Sequence, residues 1–326
     1  MTDTTAITPA DTPSDTPADT PADTPSDTAN NTSCGLVAVL GAPNAGKSTL
    51  VNQLVGQKVA ITSPKAQTTR TRLLGIAIAG NTQLMLVDTP GIFDPNRRFD
   101  RAMVSAAWEG SDGADVIALV VDAKARLNER LTTLVEQMAT RRERKILVLN
   151  KVDIAAKDKL LIQAQKLHAA GNFDEVFFVS AMTGDGVPEL KAWLAAAMPQ
   201  GAWHFPEDQV SDASERILAT EITREQLFNQ LHAELPYASA VVPEKYVTRK
   251  DGSVEIHQQI LVARDTQRAI VLGKGGSRIK AIGEKARAEL AKVLGVNVHL
   301  FLHVKVQEGW DEDREIYETI GLGWVK

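Results

Sequence analysis

Short, nearly uninterrupted apolar runs recur at Gly35–Leu40, Arg72–Ala79, Gln83–Val87, Val116–Val121, Lys145–Leu149 and Glu175–Val179. Runs of this length without polar alternation predict strands buried on both faces. Stretches of helical character, beginning with Ser48–Val55, fill most of the gaps. Strand and helix in alternation predict an α/β, doubly wound, mostly parallel sheet, with its ligand crevice at the strand C-terminal ends. Beyond this region Pro199, Gly201, Pro206 and the acidic stretch His204–Asp212 mark a linker. A helical pattern follows at Ala213–Leu235, with Ile217, Ile222, Leu227 and Leu231 near helical spacing. Strand-like runs come next at Ala238–Thr248 and Ser253–Ala263, then helices at Thr266–Leu272 and Ser277–Leu294, then a strand at Asn297–Lys305. The order α-β-β-α-α-β describes a second, smaller α+β unit.

The first 33 residues carry neither period. They repeat units such as TPADTPSDT, hold six aspartates and no lysine or arginine, and offer Ile7 as the one sizeable aliphatic. Such a segment buries too little apolar surface to offset the entropy of ordering it, which predicts a disordered acidic tail. The expected organisation is therefore a tail at 1–33, a first domain at 34–201, a linker at 202–212 and a second domain with C-terminal tail at 213–326, its core at about 232–309.

Charge alters the picture once the tail is set apart. The chain carries −5 and the tail −6, which leaves the rest at +1, so the acidic total says nothing against nucleic-acid binding. A single cysteine, Cys34, excludes an internal disulfide and suits a reducing compartment. The six histidines are scattered without zinc-ligand spacing. No stretch approaches a membrane span, and the N-terminus lacks the basic-then-apolar order of a signal peptide, so a cytoplasmic protein is expected.

Chemistry enters at the strand ends. Directly after the first run comes GAPNAGKS, which is Gly41, Ala42, Pro43, Asn44, Ala45, Gly46, Lys47 and Ser48, followed by Thr49. The spacing G-x-x-x-x-G-K-[ST] wraps backbone N–H groups and one ammonium around nucleotide phosphates, with the Ser48 hydroxyl on Mg²⁺. Asp88, Thr89, Pro90 and Gly91 (DTPG) close another run. There Asp88 can hold the metal and the Gly91 N–H can face the γ-phosphate, with Ile92 next. Asn150, Lys151, Val152 and Asp153 (NKVD) end a third run. The Asp153 carboxylate suits guanine's paired N–H donors, which adenine lacks. Val179, Ser180 and Ala181 (VSA) end a fourth, with backbone placed to read the guanine carbonyl. Any one of the last three alone is an ordinary strand-end turn; all four motifs in this order and spacing are not.

In the second unit, Gly273, Lys274, Gly275 and Gly276 form GKGG between two predicted helices. The G-x-x-G spacing clamps single-stranded RNA, although any tight turn between helices can use glycines. From Arg264 to Lys292 eight basic residues face three acidic ones, and Lys274, Arg278 and Lys280 place charge where phosphates would lie. A plain RNA-binding module with a structural nucleotide site, and a P-loop ATPase or small-metabolite kinase, are the competing classes. NKVD disfavours the second of these.

These motifs, with SPKAQTTRTR at Ser63–Arg72 and the linker HFPEDQVSD, resemble the Era-type GTPases, bacterial ribosome-assembly factors with a Ras-like GTPase domain and a C-terminal type II KH domain. The resemblance runs from about Cys34 to the C-terminus, and the linker departs conservatively at its aromatic position. It implies a first switch within Gln57–Arg72, including Gln67, Thr68, Thr69, Arg70 and Thr71, with Thr69 as metal-sensing hydroxyl beside Ser48 and Asp88. It implies GTP hydrolysis carried by Asn44, Lys47, Thr69 and Gly91 with Mg²⁺. Ile92 stands where Ras-like enzymes carry a water-orienting glutamine, which points to a K⁺ ion held by Asn44. Implied partners are GTP and GDP, the 3′ end of 16S rRNA and the 30S subunit, with RNA in a groove between the Ser277–Leu294 helix and the Ser253–Ala263 strand. A monomer, with peripheral association at the inner membrane, completes what the resemblance implies.

Overall fold

A computed structural model describes residues 31–325. The expected acidic tail therefore falls almost wholly outside the described residues. Its last three residues do not, and Ser33 opens the first strand, β1 (Ser33–Leu40), where its N–H donates to the Asn81 carbonyl at 3.0 Å. The ladder continues past the apolar run because backbone pairing is indifferent to side-chain polarity.

The first domain continues α1 (Lys47–Val55), β2 (Leu73–Ala79), β3 (Thr82–Asp88), α2 (Arg98–Glu109), β4 (Val116–Asp122), α3 (Glu129–Ala139), β5 (Arg144–Asn150), α4 (Lys157–Gly171), β6 (Glu175–Val179) and α5 (Val187–Ala197). Its six strands run in the order β2-β3-β1-β4-β5-β6, with β2 antiparallel to β3 and the remaining pairs parallel. Alternate residues of each central strand enter different cores. Val37 and Val39 pack under α1 and α5, while Ala38 and Leu40 pack under α3 and α4. This two-sided burial is why the strands read as continuous apolar runs. Parallel strands joined by helices leave their C-terminal ends on one edge, and the four motifs meet there.

The linker is strapped to the sheet. Fully buried Gln83 accepts the His204 and Phe205 N–H groups at 2.9 and 3.1 Å, and the Ile76 N–H donates to the Val210 carbonyl at 2.8 Å.

The second domain contains α6 (Glu215–Gln230), β7 (Ser239–Thr248), β8 (Val254–Val262), α7 (Asp265–Leu272), α8 (Ser277–Leu294) and β9 (Val298–Val306). The α-β-β-α-α-β order is as expected. The helix expected to reach Leu235 stops at Gln230, because Leu231 turns extended and fully buried into the core. Strand order is β7-β8-β9, with β8 antiparallel to β7 and parallel to β9. This corrects the expected RNA groove: β8 lies at the centre of the sheet, so the exposed strand edge beside α8 belongs to β9.

Two C-terminal elements went unpredicted, a 3₁₀ turn at Trp310–Glu312 and α9 (Arg314–Ile320). They close the molecule across both domains. Phe99 of α2 meets Trp310 and Tyr317 edge-on at 5.6 and 5.5 Å, in one core with Ala240, Val242 and Leu261. Among the described residues no helix is long and apolar enough to cross a membrane.

Candidate nucleotide site and nucleic-acid loop

The P-loop backbone is built on glycine. Gly41 has φ 149°, and a Cβ there would come within 2.3 Å of the Val120 carbonyl oxygen. Gly46 has φ 95° and starts α1, so the helix N-terminus aims its free N–H groups into the loop. Lys47 is buried and donates to the Gly41 and Ala42 carbonyls at 3.2 Å each. Burial pulls its ammonium down to about 8, with the nearby Asp88 charge acting the other way. The crevice over Lys47 and Ser48 is narrow, about 50 Å³, and the 61–63 and 67–69 segments cross it. A larger cavity of about 1070 Å³ opens alongside, between Pro43, Phe93 and α3.

Three oxygen groups converge at the loop's end. The Ser48 hydroxyl donates to Asp88 Oδ2 at 2.7 Å, the Thr69 hydroxyl reaches the same oxygen at 3.1 Å, and the two hydroxyls lie 2.8 Å apart. Asp88 is fully buried and its Oδ1 has no hydrogen-bond partner. Burial raises its carboxyl above the ordinary range, opposed by Lys47 and the two hydroxyls. A buried carboxylate with an unpaired oxygen, flanked by two hydroxyls, is a hard-oxygen set suited to Mg²⁺.

The remaining DTPG residues serve packing and close approach. Thr89 donates to the Val39 carbonyl at 2.7 Å. A Cβ on Gly91 would fall 2.7 Å from the Pro43 nitrogen, so glycine permits this motif to lie against the P-loop. The Ile92 N–H is spent on the Gly41 carbonyl at 3.0 Å, and its side chain packs into the α3 core.

At the base end, Asn150 and Asp153 sit in different surroundings. Asn150 is buried. Its amide donates to the Ala45 carbonyl at 2.9 Å, and its Oδ1 accepts from the Ala181 and Lys151 N–H groups at 2.9 and 2.8 Å. It ties the P-loop, NKVD and VSA together, while Asp153, in a 3₁₀ turn with Val152, is exposed. Val179 and Ser180 are fully buried. Lys151, at φ 67°, donates to the Asn44 carbonyl at 2.7 Å and pairs with Asp122 at 2.8 Å. Asp122 was missed from the sequence, although it ends β4 on the same edge as Asp88 and Asn150.

Of the expected switch residues, Thr69 alone reaches the Ser48–Asp88 group. Gln67 turns to Asp100 at 3.2 Å, and Thr68 donates to the Lys65 carbonyl at 2.7 Å. Arg70 departs most from expectation. Only 3% exposed, it donates to the Ser239 and Pro236 carbonyls of the second domain and lies over Phe99 and Phe228. Thr71 lies against Gly321, beyond α9. Asn44 (φ 61°) donates from Nδ2 to the Pro64 carbonyl at 2.9 Å.

In the second domain, GKGG forms a tight turn with Gly273, Gly275 and Gly276 at φ 70°, 59° and 77°. A Cβ at Gly273 would strike Arg278 at 2.8 Å, whereas Gly275 faces open space. Lys274 is exposed at the N-terminus of α8. Arg278 is partly committed to the Ile270 carbonyl at 3.3 Å, and Lys280 lies 4.0 Å from Glu284.

Fold and site together define a Ras-like P-loop GTPase joined to a KH domain. A family model described as 50S ribosome-binding GTPase matches residues 36–151, and a KH-domain model matches residues 234–311. The chain belongs to the Era GTPase family. It is 67% identical to GTPase Era of Erythrobacter litoralis over 299 residues, spanning 90% of this chain and 98% of that protein. It is 53% identical to GTPase Era of Afipia carboxidovorans over 295 residues, 90% and 96% of the two chains. Among solved structures it is similar to Era in complex with MgGDPNP and nucleotides 1506–1542 of 16S ribosomal RNA, with TM-score 0.85, 35% identity and coverage of 89% of this chain and 99% of that one. A point variant of Aquifex aeolicus Era bound to GDP and AlF4⁻ matches with TM-score 0.82, 35% identity and the same coverage.

Proposed function

We propose that this protein is a GTP-binding and GTP-hydrolysing switch that binds the 3′ end of 16S rRNA and acts in 30S subunit assembly and rRNA processing. The observation that carries the reading is the convergence of Ser48, Thr69 and Asp88 at the P-loop of a chain that ends in a G-x-x-G domain. Residues 34–201 form the GTPase domain, 202–212 the linker and 213–326 the RNA-binding domain with its tail. Residues 41–49 with the α1 N-terminus cradle the phosphates, and Lys47 supplies the neutralising charge. Asp153 selects guanine, held in register by Asn150 and Lys151. Ser48, Thr69 and Asp88 hold Mg²⁺, which neutralises charge developing on the phosphates when bound. Asn44 and first-switch carbonyls hold K⁺ and substitute for the glutamine that Ile92 replaces; the Asn44–Pro64 contact already brings those groups together. GKGG with Lys274, Arg278 and Lys280 grips the RNA backbone, and bases lie in the groove between α8 and the β9 edge. The protein works as a cytoplasmic monomer with peripheral inner-membrane contact.

The test is GTP turnover with ATP as control, alongside binding of a labelled 16S 3′-end oligonucleotide. GTP-selective turnover together with RNA binding is the expected result. RNA binding with no turnover would leave a plain RNA-binding module, and equal ATP turnover would refute the guanine assignment.

A further inference from the structure

The segment that carries Thr69 is gripped by the second domain as well as by its own. Glu225 of α6 is 4% exposed, and its two oxygens are both engaged across the domain boundary. Oε1 accepts the Thr62 N–H at 2.8 Å, and Oε2 accepts the Lys58 ammonium at 2.6 Å. Glu289 of α8 takes the same ammonium at 2.9 Å. Further along, the Lys65 ammonium donates to the Phe228 and Leu231 carbonyls where α6 ends, and Arg70 reaches Pro236 and Ser239. Anchors therefore stand on both sides of Thr69, and all of them lead to α6, α8 or the approach to β7.

The energetics favour a firm hold. A buried carboxylate is costly unless paired and hydrogen-bonded, and removing its partners is strongly destabilising. Burial by itself would lower the Lys58 ammonium, but the two carboxylates outweigh burial and raise it, so the ammonium keeps its charge. The backbone bond at Thr62 constrains the main chain itself. A rotation of α6 with its domain would therefore draw the switch backbone with it, and the Thr69 hydroxyl sits on that backbone.

We infer that Glu225 is a positioning residue for GTP hydrolysis, contributed by the RNA-binding domain, which holds the first switch so that Thr69 stays beside Ser48 and Asp88. This rests on the reading of Thr69 as the switch hydroxyl. It gives the second domain a direct grip on the nucleotide site, through one carboxylate that no P-loop GTPase motif contains.

The experiment uses the full chain. Glu225→Ala removes both bonds; Glu225→Gln keeps an acceptor for the Thr62 N–H but removes the charge opposite Lys58. In the Ala variant kcat falls roughly tenfold, the scale of losing a group that orients a metal ligand. KM for GTP and affinity for GDP stay unchanged, and the Gln variant is intermediate. Without nucleotide, trypsin cuts after Lys58 and Lys65 faster in the Ala variant than in wild type, a readout independent of turnover. Binding of the 16S 3′-end oligonucleotide, unchanged, reports an intact second domain. Wild-type kcat and protease pattern in an Ala variant that still binds RNA would overturn the inference. So would equal loss of GTP, GDP and RNA binding, which makes Glu225 a general structural residue. Thr69→Ala, measured in parallel, separates the two levels: loss of turnover there with a normal Glu225→Ala protein refutes the link alone, whereas a fully active Thr69→Ala protein refutes the switch reading beneath it.

Discussion

Asp153 and Asn150 sit three residues apart and do different things. Asp153 is exposed in its turn, and the proposed guanine contact has it accept two donors. Exchanging it for Asn turns one acceptor into a donor facing the guanine amine. GTP affinity should fall by about 2–4 kcal/mol, and xanthosine triphosphate, with the complementary pattern, should recover much of the loss. A variant that still prefers GTP in a competition assay removes Asp153 from base recognition. Asn150 is buried and satisfies three backbone groups of three loops. Asn150→Ala orphans all three, so it should cost about 2–3 kcal/mol of stability in urea unfolding, and GTP and XTP should weaken alike. Selective loss of GTP over XTP would assign Asn150 a direct base contact. At Asn44 the question is the salt: turnover should be faster in K⁺ than in Na⁺, and Asn44→Ala should erase the difference. Equal wild-type rates in both salts would reduce Asn44 to an anchor for Pro64.

Among elements, the C-terminal turn and α9 show how a late segment holds two domains together. Trp310 is 2% exposed and wedged edge-on against Phe99, with Tyr317 on the same ring. Trp310→Ala leaves a large cavity in that shared core and should cost about 3–5 kcal/mol, seen as an earlier urea midpoint. The double change with Phe99→Ala should cost less than the sum of the singles, since both remove one contact. Strict additivity would mean the two rings contribute independently. The GKGG turn is an element of another kind, held open by glycine at positive φ. A Cβ added at Gly275 would meet nothing within 4 Å, so a residue there acts through charge and backbone strain and not through collision.

For the whole molecule, that turn is where the proposed grip on RNA can be tested by charge. The paired change Lys274→Asp with Gly275→Asp replaces an exposed cation by two carboxylates at the α8 N-terminus. RNA affinity should fall at least tenfold, and wild-type binding should weaken steeply with salt as phosphate contacts release counterions. GTP turnover without RNA should persist, because GKGG lies apart from the Glu225 and Arg70 contacts that reach the first switch. In cells, unprocessed small-subunit rRNA should accumulate. Unchanged RNA affinity in a variant with wild-type circular dichroism would leave GKGG as an ordinary helix–helix turn.

The sequence by itself determined the doubly wound sheet, the α-β-β-α-α-β unit and the placement of four motifs at strand ends. Apolar runs, glycine at positive φ and helix starts are properties of a few consecutive residues, so they survive without coordinates. Asp122 lay within reach of the same reasoning as a carboxylate at a strand end. Tertiary structure alone decided that Asn150 bonds to three loops at once, that Arg70 reaches into the second domain, and that β9 forms the sheet edge. It alone showed α9 folded over α2 and Glu225 holding the switch. Each of these depends on which distant segments meet: Lys58 and Glu225 are 167 residues apart and Arg70 and Ser239 are 169. A charged or amphipathic side chain reads the same in solvent as in a buried pair, and only the assembled chain supplies the partner that gives it a role.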